Sequence, residues 1–173
     1  MSDAVVAFYA GGRDDRGRTL EQIWTWTDAE LEAVHDYIQW MFPTPQPSGV
    51  NPFAPLVTPA TIRAFGARPA LRDRLRQSLD RMLAFYGLRR ADASRRIEMD
   101  PARFASRART WLHPGNHNHL RLTRIMQSLA VLGLEDEALA LQRCLMEDVA
   151  TGSGRDGISR VTLAFWRDAL HRL

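Results

Sequence analysis

The sequence predicts an all-α protein that forms a single compact domain of seven to eight helices, with an extended N-terminal arm and a proline-rich internal connection. Apolar residues recur at helical spacing along most of the chain beyond its N-terminal segment. The chain has 173 residues, 45% of them apolar, and a chain of that length can bury a core of its own. We therefore expect one domain spanning residues 1–173.

Beyond the N-terminal segment the sequence has no convincing period-two run longer than residues 5–9. That segment is interpreted as an extended arm before the turn at Gly11 and Gly12. Thr19 is a suitable N-cap for a short helix that continues through Trp26.

A longer helix is predicted between Thr27 and Pro43. Thr27 can cap its first turn, and Pro43 cannot continue it. Within residues 31–42 the apolar side chains occupy two opposite faces of the helical wheel. We therefore expect this helix to be contacted on both faces, with Tyr37 and Trp40 buried.

Prolines then define a connection and the start of the next helix. Residues 43–59 contain six prolines and several apolar residues, which predicts a rigid connection packed across the helices. Thr58 and Pro59 suit the N-cap and first position of a helix to about Ala67. Further helices are predicted at about 69–86, 100–112, 117–132, 135–149 and 158–171, with a glycine-rich loop at 151–157.

Two glycines mark predicted helix ends. Gly87 and Gly133 each follow an apolar last turn in a similar phrase, Leu-Ala-x-x-Gly-Leu. Glycine in this position commonly adopts a positive φ that closes the helix. We expect a positive φ at both residues.

The composition excludes several functional classes. All 23 basic residues are arginine, so lysine-based covalent catalysis and a lysine-containing phosphate loop are impossible. No apolar run is long enough to span a membrane, and the N-terminal residues lack the features of a signal peptide. We expect a cytoplasmic protein without membrane insertion, in which Cys144 is a small buried residue.

The arginine content has two interpretations. Arginine is the preferred residue for phosphate recognition, and a pI near 9.7 is compatible with a weak nucleic-acid binder. A GC-rich bacterial genome would also replace lysine by arginine. The net charge is only +3 and acidic residues are mixed among the arginines, so nucleic acid is the less expected partner.

Two polar clusters are candidates for a binding site. Between the apolar faces of the predicted helix at 31–42 lies a polar stripe, which forms either a solvent-exposed seam or the wall of a cleft. The second cluster begins a later helix, whose N-terminal amides favour an anion or a carbonyl group. The candidate ligand-binding residues of both clusters are Glu32, His35, Asp36, Gln39, Trp40, His117, Asn118, Arg121 and Arg124.

Buried charges need partners, which predicts that the two clusters meet. We expect Glu32 or Asp36 to form a salt bridge with Arg121 or Arg124. His35 and Asn118 are then expected beside the same seam.

No metal or cofactor site is predicted. The spacing of His113, His117 and His119 matches none of the usual zinc signatures. The sequence also lacks the Gly-x-Ser-x-Gly motif of a nucleophile elbow. No catalytic residue can be assigned from the sequence.

Several phrases, in order along residues 5–150, resemble the conserved domain of the opioid growth factor receptor family. The most specific is His-Asp-Tyr-Ile-Gln-Trp at residues 35–40. Other matching positions are Phe8, Tyr9, Leu31, Glu32, Met82, Leu83, Phe85, Tyr86, Gly87, Leu88, Trp111, His117, Asn118, Leu120, Arg121, Thr123, Arg124 and Ile125.

The resemblance implies a helical protein related to animal receptors for an opioid peptide. The chain resembles the short bacterial members, without the repeats and basic tails of the animal proteins, so peptide signalling is not carried over. We expect a non-enzymatic binding module for a peptide, a protein segment or a small ligand. Alternatives are an enzyme that uses His35 or His117 in acid-base chemistry, and a weak arginine-mediated nucleic-acid binder. The oligomeric state stays open.

Overall fold

The computed structural model describes residues 3–91, 96–152 and 155–171, and over them it confirms the all-α class. These residues form ten α-helices, more than the seven to eight predicted. The helices are α1 (Ala4–Tyr9), α2 (Leu20–Trp24), α3 (Asp28–Ala33), α4 (Ile38–Met41), α5 (Pro59–Ala67), α6 (Pro69–Tyr86), α7 (Phe104–Trp111), α8 (Asn118–Val131), α9 (Glu135–Arg143) and α10 (Arg160–Asp168).

Three threonines begin helices where the sequence predicts. The side chain of Thr19 accepts a hydrogen bond from the backbone of α2, Thr27 does the same for α3, and Thr58 for α5. In each case the residue at the third helical position also bonds back to the threonine. This reciprocal cap is entirely local, so it can be recognised without tertiary information.

The predicted extended arm is wrong, because the segment is the helix α1. Oδ1 of Asp3 caps it by accepting a hydrogen bond from the backbone of Val6 at 3.0 Å. Val5, Phe8 and Tyr9 are its buried residues. They are spaced three and four apart, as on one face of a helix, and a run of five apolar residues is too short for periodicity to distinguish a helix from a strand.

The single helix predicted through residues 31–42 is also wrong, because the chain leaves the helical conformation at Val34. Val34 has φ −94° and ψ 132°, and the helix resumes only as α4. The predicted burial is confirmed, since Tyr37 and Trp40 are 0% and 8% exposed. A continuous helix would use the carbonyl of Leu31 internally, whereas here Tyr37 and Arg121 donate to it.

A short antiparallel hairpin, β1 (Leu88–Arg90) and β2 (Ile97–Met99), follows α6 and was absent from the sequence prediction. Its strands have three residues each, too few for a periodic signal. Gly87 precedes it with φ 76°, and Gly133 has φ 85°, so both predicted positive φ values are confirmed.

The proline-rich connection and the C-terminal half follow the prediction with local differences. Val57 of the connection is buried in the hydrophobic core, whereas Phe53 and Leu56 are 83% and 41% exposed, so the connection packs against the helices only in part. Helix α7 begins later than predicted, and a π-helical segment, Cys144–Val149, continues α9. Ser153 and Gly154 of the predicted glycine-rich loop lie outside the described residues.

Helices α6 and α8 organise the core. Helix α6 contacts α1, α2, α5 and α7, whereas α8 contacts α9 and α10. Leu75 and Leu79 of α6, with Leu122 and Leu129 of α8, are 0% exposed, and Cys144 is buried as predicted. None of the helices in the described residues is long and apolar enough to cross a membrane. One domain over residues 1–173 stays a prediction.

Candidate functional site

Two arginines on one face of α8 hold the ends of α3 and α4. Nη1 of Arg121 donates to the carbonyl of Leu31 and Nη2 to that of Val34, both at 2.9 Å. One turn later, Nη1 of Arg124 donates to the carbonyl of Phe42 at 3.2 Å. Helix C-termini leave carbonyls unpaired and attract positive charge, so each guanidinium satisfies one helix end.

The predicted salt bridge between the two clusters is wrong. Asp36 pairs instead with Arg18 at 2.8 Å and Arg16 at 3.2 Å, and no ion pair of the described residues joins Glu32 or Asp36 to Arg121 or Arg124. Because the chain is extended at residue 34, Asp36 leaves the helical face that carries Glu32. Partial burial raises the pKa of Asp36, but the two arginines outweigh burial and lower it.

Asn118 nevertheless joins the two clusters. Its Nδ2 donates to Oε2 of Glu32 at 3.0 Å, and its Oδ1 accepts from Tyr86 Oη at 3.3 Å and Arg121 Nη1 at 3.4 Å. The residue is 0% exposed. A single buried amide therefore links α3, α6 and α8.

Two histidines lie in ring contact beside this network. Nδ1 of His35 lies 3.1 Å from Nη2 of Arg121, and because a guanidinium can only donate, Nε2 carries the proton of that ring. The centroids of His35 and His117 are 5.0 Å apart, and Nε2 of His117 is 3.3 Å from Oε1 of Glu32. Burial and then the charge of Arg121 lower the pKa of His117, against the opposing effect of Glu32.

A cavity of about 470 Å³ opens beside these side chains. It brings together five of the predicted site residues, namely His35, Gln39, His117, Arg121 and Arg124. In the amide orientation that satisfies its neighbours, Gln39 donates to the carbonyls of His35 and Asp36, so its own oxygen faces away from them.

The other predicted residues lie outside the cavity lining. Glu32 and Asn118 form the hydrogen-bonded layer behind it. Asp36 lines a second depression, which shares His35 and Val50 with the cavity. Trp40 is 8% exposed and packs on Phe8 with ring centroids 5.4 Å apart.

Sequence reasoning missed two segments that complete the cavity. One is the end of α10, which contributes Phe165 and Asp168, and the other is residues 47–50 of the proline-rich connection. Phe165 is 41% exposed and Val50 is 80% exposed. The sequence shows that these residues are apolar, but no local pattern shows that they stay exposed or which distant helix lies beside them.

The three histidines considered for zinc have different partners. Nε2 of His119 donates to the carbonyl of Trp111 at 3.0 Å, and Nδ1 lies 3.3 Å from Oγ1 of Thr162. His113 contacts Asn116 instead. In the described part of the chain, no group of three His, Cys, Asp or Glu side chains is arranged to hold a metal ion.

Comparison with known proteins confirms the resemblance seen in the sequence. The family described as the opioid growth factor receptor (OGFr) conserved region matches residues 16–172. The opioid growth factor receptor of Mus musculus is 38% identical over 118 residues, which are 68% of this chain and 18% of that protein. The Homo sapiens receptor is 33% identical over 147 residues, covering 84% of this chain and 21% of its own length.

A second group of relatives carries a related name. Opioid growth factor receptor-like protein 1 of Xenopus tropicalis is 30% identical over 138 residues, which are 76% of this chain and 26% of that protein. The matched region is thus between 18% and 26% of the length of these three relatives. No solved structure matches the chain significantly. Because the family match extends over residues 16–172, this chain belongs to the family defined by the opioid growth factor receptor conserved region.

Proposed function

We propose that this protein is a non-enzymatic binding module for a peptide, a protein segment or a small ligand, and that the cavity beside α8 is its binding site. One observation carries the proposal: Arg121 and Arg124 line the cavity, and among the described residues neither has a carboxylate partner. Buried cations are usually paired, so such an arrangement favours an external partner.

The size and chemistry of the cavity support the same proposal. Small-molecule sites typically enclose about 300–1,000 Å³ and combine apolar walls with a few polar groups. The cavity of about 470 Å³ lies in that range, with Ile38, Leu120 and Phe165 among its apolar lining. Its polar groups are held by hydrogen bonds to the surrounding helices, so the site is largely formed before a ligand arrives.

The relatives supply a second line of support. Several are named receptors, and a receptor binds a ligand. The chain matches only 21% of the human receptor, so binding by this chain is our proposal and not a property transferred from it. The expectation of a bacterial cytoplasmic protein likewise stays a prediction.

Acid-base catalysis is a second candidate because of the contact between His117 and Glu32. A carboxylate 3.3 Å from one ring nitrogen can orient a histidine so that the other nitrogen serves a substrate. The lowered pKa of His117 favours the neutral ring, which can accept a proton. An enzyme would release a chemically altered ligand, whereas a binding module would return it unchanged.

Native mass spectrometry of the purified protein tests the proposal. We expect an additional bound mass in the wild-type protein, its loss in Arg124→Met, and its retention in Arg81→Met. Arg81 is the control, because it also donates to a backbone carbonyl, that of Trp26, and lies outside the cavity lining; unlike Arg124 it also pairs with Asp28. A bound mass that survives Arg124→Met would place binding elsewhere, and conversion of the released compound by fresh protein would favour the enzyme.

A further inference from the structure

We propose that the cavity binds the anionic group, a carboxylate or a phosphate, of a small ligand that carries an apolar body beside it. This inference rests on the proposed binding function and names the class of ligand.

Arg124 presents donors that the fold does not use. Both of its hydrogen bonds within the described chain come from Nη1, to the carbonyl of Phe42 at 3.2 Å and to Oγ1 of Thr44 at 3.1 Å. Nε and Nη2 have no hydrogen-bond acceptor among the described residues. They are also not among the buried polar atoms that lack a partner, so both nitrogens are accessible to solvent. These two nitrogens form the parallel pair that binds a carboxylate or phosphate in a bidentate manner.

Arg121 adds a second positive charge one turn away. It is 6% exposed, and its hydrogen bonds to Leu31 and Val34 are to neutral carbonyls. His35 also lines the cavity, and the N–H group at its Nε2 is a further hydrogen-bond donor.

The two guanidinium charges exceed the charge of the helix ends that they contact. A helix C-terminus contributes roughly half a negative charge at most, and α3 and α4 are short helices of six and four residues. Asp168 is the one acidic side chain in the described lining, and even with its full negative charge counted the lining is not negative.

An apolar rim surrounds these donors. Leu120, Phe165 and Val50 line the cavity and are 61%, 41% and 80% exposed. Leu120 and Phe165 also line an adjoining depression of about 210 Å³, which extends the apolar surface along α8 and α10. A ligand with an apolar body would cover this surface, and inorganic phosphate would leave it exposed to water.

Isothermal titration calorimetry with probes of matched shape tests the inference. The probes are 3-phenylpropanoate, the uncharged 3-phenylpropanamide, phenyl phosphate and inorganic phosphate. We expect the acid or the phenyl phosphate to bind wild-type protein at least about tenfold more tightly than the amide, with an affinity that falls as salt rises. The tighter of the two anions identifies the anionic group.

Variants locate the site. Arg124→Met should weaken anion binding about tenfold, and Arg81→Met should leave it unchanged. Leu120→Ser, at an exposed position, should weaken the phenyl compounds but not inorganic phosphate. The comparison of acid with amide uses wild-type protein only, so it stands even if Arg124→Met does not fold.

The outcomes separate the two proposals. If neither the acid nor phenyl phosphate binds more tightly than the amide, the anionic class is overturned while a binding module remains. If inorganic phosphate binds as tightly as phenyl phosphate, the proposed contact between the apolar body of the ligand and the rim is overturned. If no probe binds and native mass spectrometry finds no bound mass, the binding function itself is overturned.

Discussion

Nδ2 of Asn118 donates a hydrogen bond to Oε2 of Glu32 at 3.0 Å, which joins α8 to α3 across 86 residues of chain. Helix α3 has only six residues, and isolated helices of that length are unstable in water. Contacts with α8 therefore decide where α3 lies and where it ends. The candidate site depends on this contact, because Arg121 of α8 both holds the end of α3 and lines the cavity.

Asn118→Ala should destabilise the protein by about 2–3 kcal/mol, because Tyr86 Oη and Glu32 would lose their buried partner. Urea unfolding measures the change. The control is Asn51→Ala, whose side chain caps an exposed turn at Phe53 and should cost less than about 1 kcal/mol. Equal costs for the two variants would contradict the linking role of Asn118.

Arg121→Met should lower the free energy of unfolding by about 3 kcal/mol or more. Arg124→Met should lower it by less. Arg121 is almost fully buried and satisfies two carbonyls at the end of α3, whereas Arg124 satisfies only one helix end and reaches solvent. Thermal and urea unfolding of both variants would show the order. For this reason the ligand experiments use Arg124, and the reverse order would mean that Arg121 is not the structural anchor.

Alanine should be tolerated differently at the two helix-ending glycines. Gly133→Ala should cost about 1 kcal/mol, the penalty for a positive φ, since its new Cβ would meet only the flexible side chain of Arg72 at 3.5 Å. Gly87→Ala should cost clearly more, because its Cβ would lie 2.7 Å from Cα of Phe104. Denaturant unfolding of the pair tests the contact between Gly87 and α7.

The free energy of unfolding should fall as the pH is lowered from about 7.5 to about 5.5. Burial lowers the pKa of both His117 and His119, so the unfolded chain, whose histidines titrate near about 6.5, binds protons that the folded chain does not. Stability is therefore present above that pH and is lost as the pH falls below it. Carboxylates contribute little in this window because they titrate at lower pH.

The buried histidine can be tested directly. His119→Gln should reduce the loss of stability over this pH interval relative to the wild-type protein. Chemical denaturation at both pH values gives the two slopes. An unchanged slope in His119→Gln would show that this ring does not carry the pH dependence.

The prediction of one domain requires a single cooperative transition. Far-ultraviolet circular dichroism and tryptophan fluorescence should give the same midpoint, because Trp40 near the N-terminal helices and Trp166 in α10 both pack into the described hydrophobic core. Two separated transitions would indicate two folding units.

The sequence alone was sufficient for the features that depend on neighbouring residues. The threonine caps of α2, α3 and α5 use side chains three positions apart, and Gly87 closes a helix through its own backbone freedom. The family resemblance was likewise readable from ordered phrases, and it pointed to both clusters of the candidate site.

Tertiary structure decided the features in which a distant side chain competes with the local pattern. Residues 31–42 have a helical pattern, yet the chain breaks at Val34, where Arg121 takes up carbonyls that a continuous helix would have used. The same break directs Asp36 to Arg18 instead of to α8 and leaves two arginines without carboxylates beside the cavity. Local periodicity cannot contain this information, because the hydrogen bonds that outweigh it join residues almost ninety positions apart.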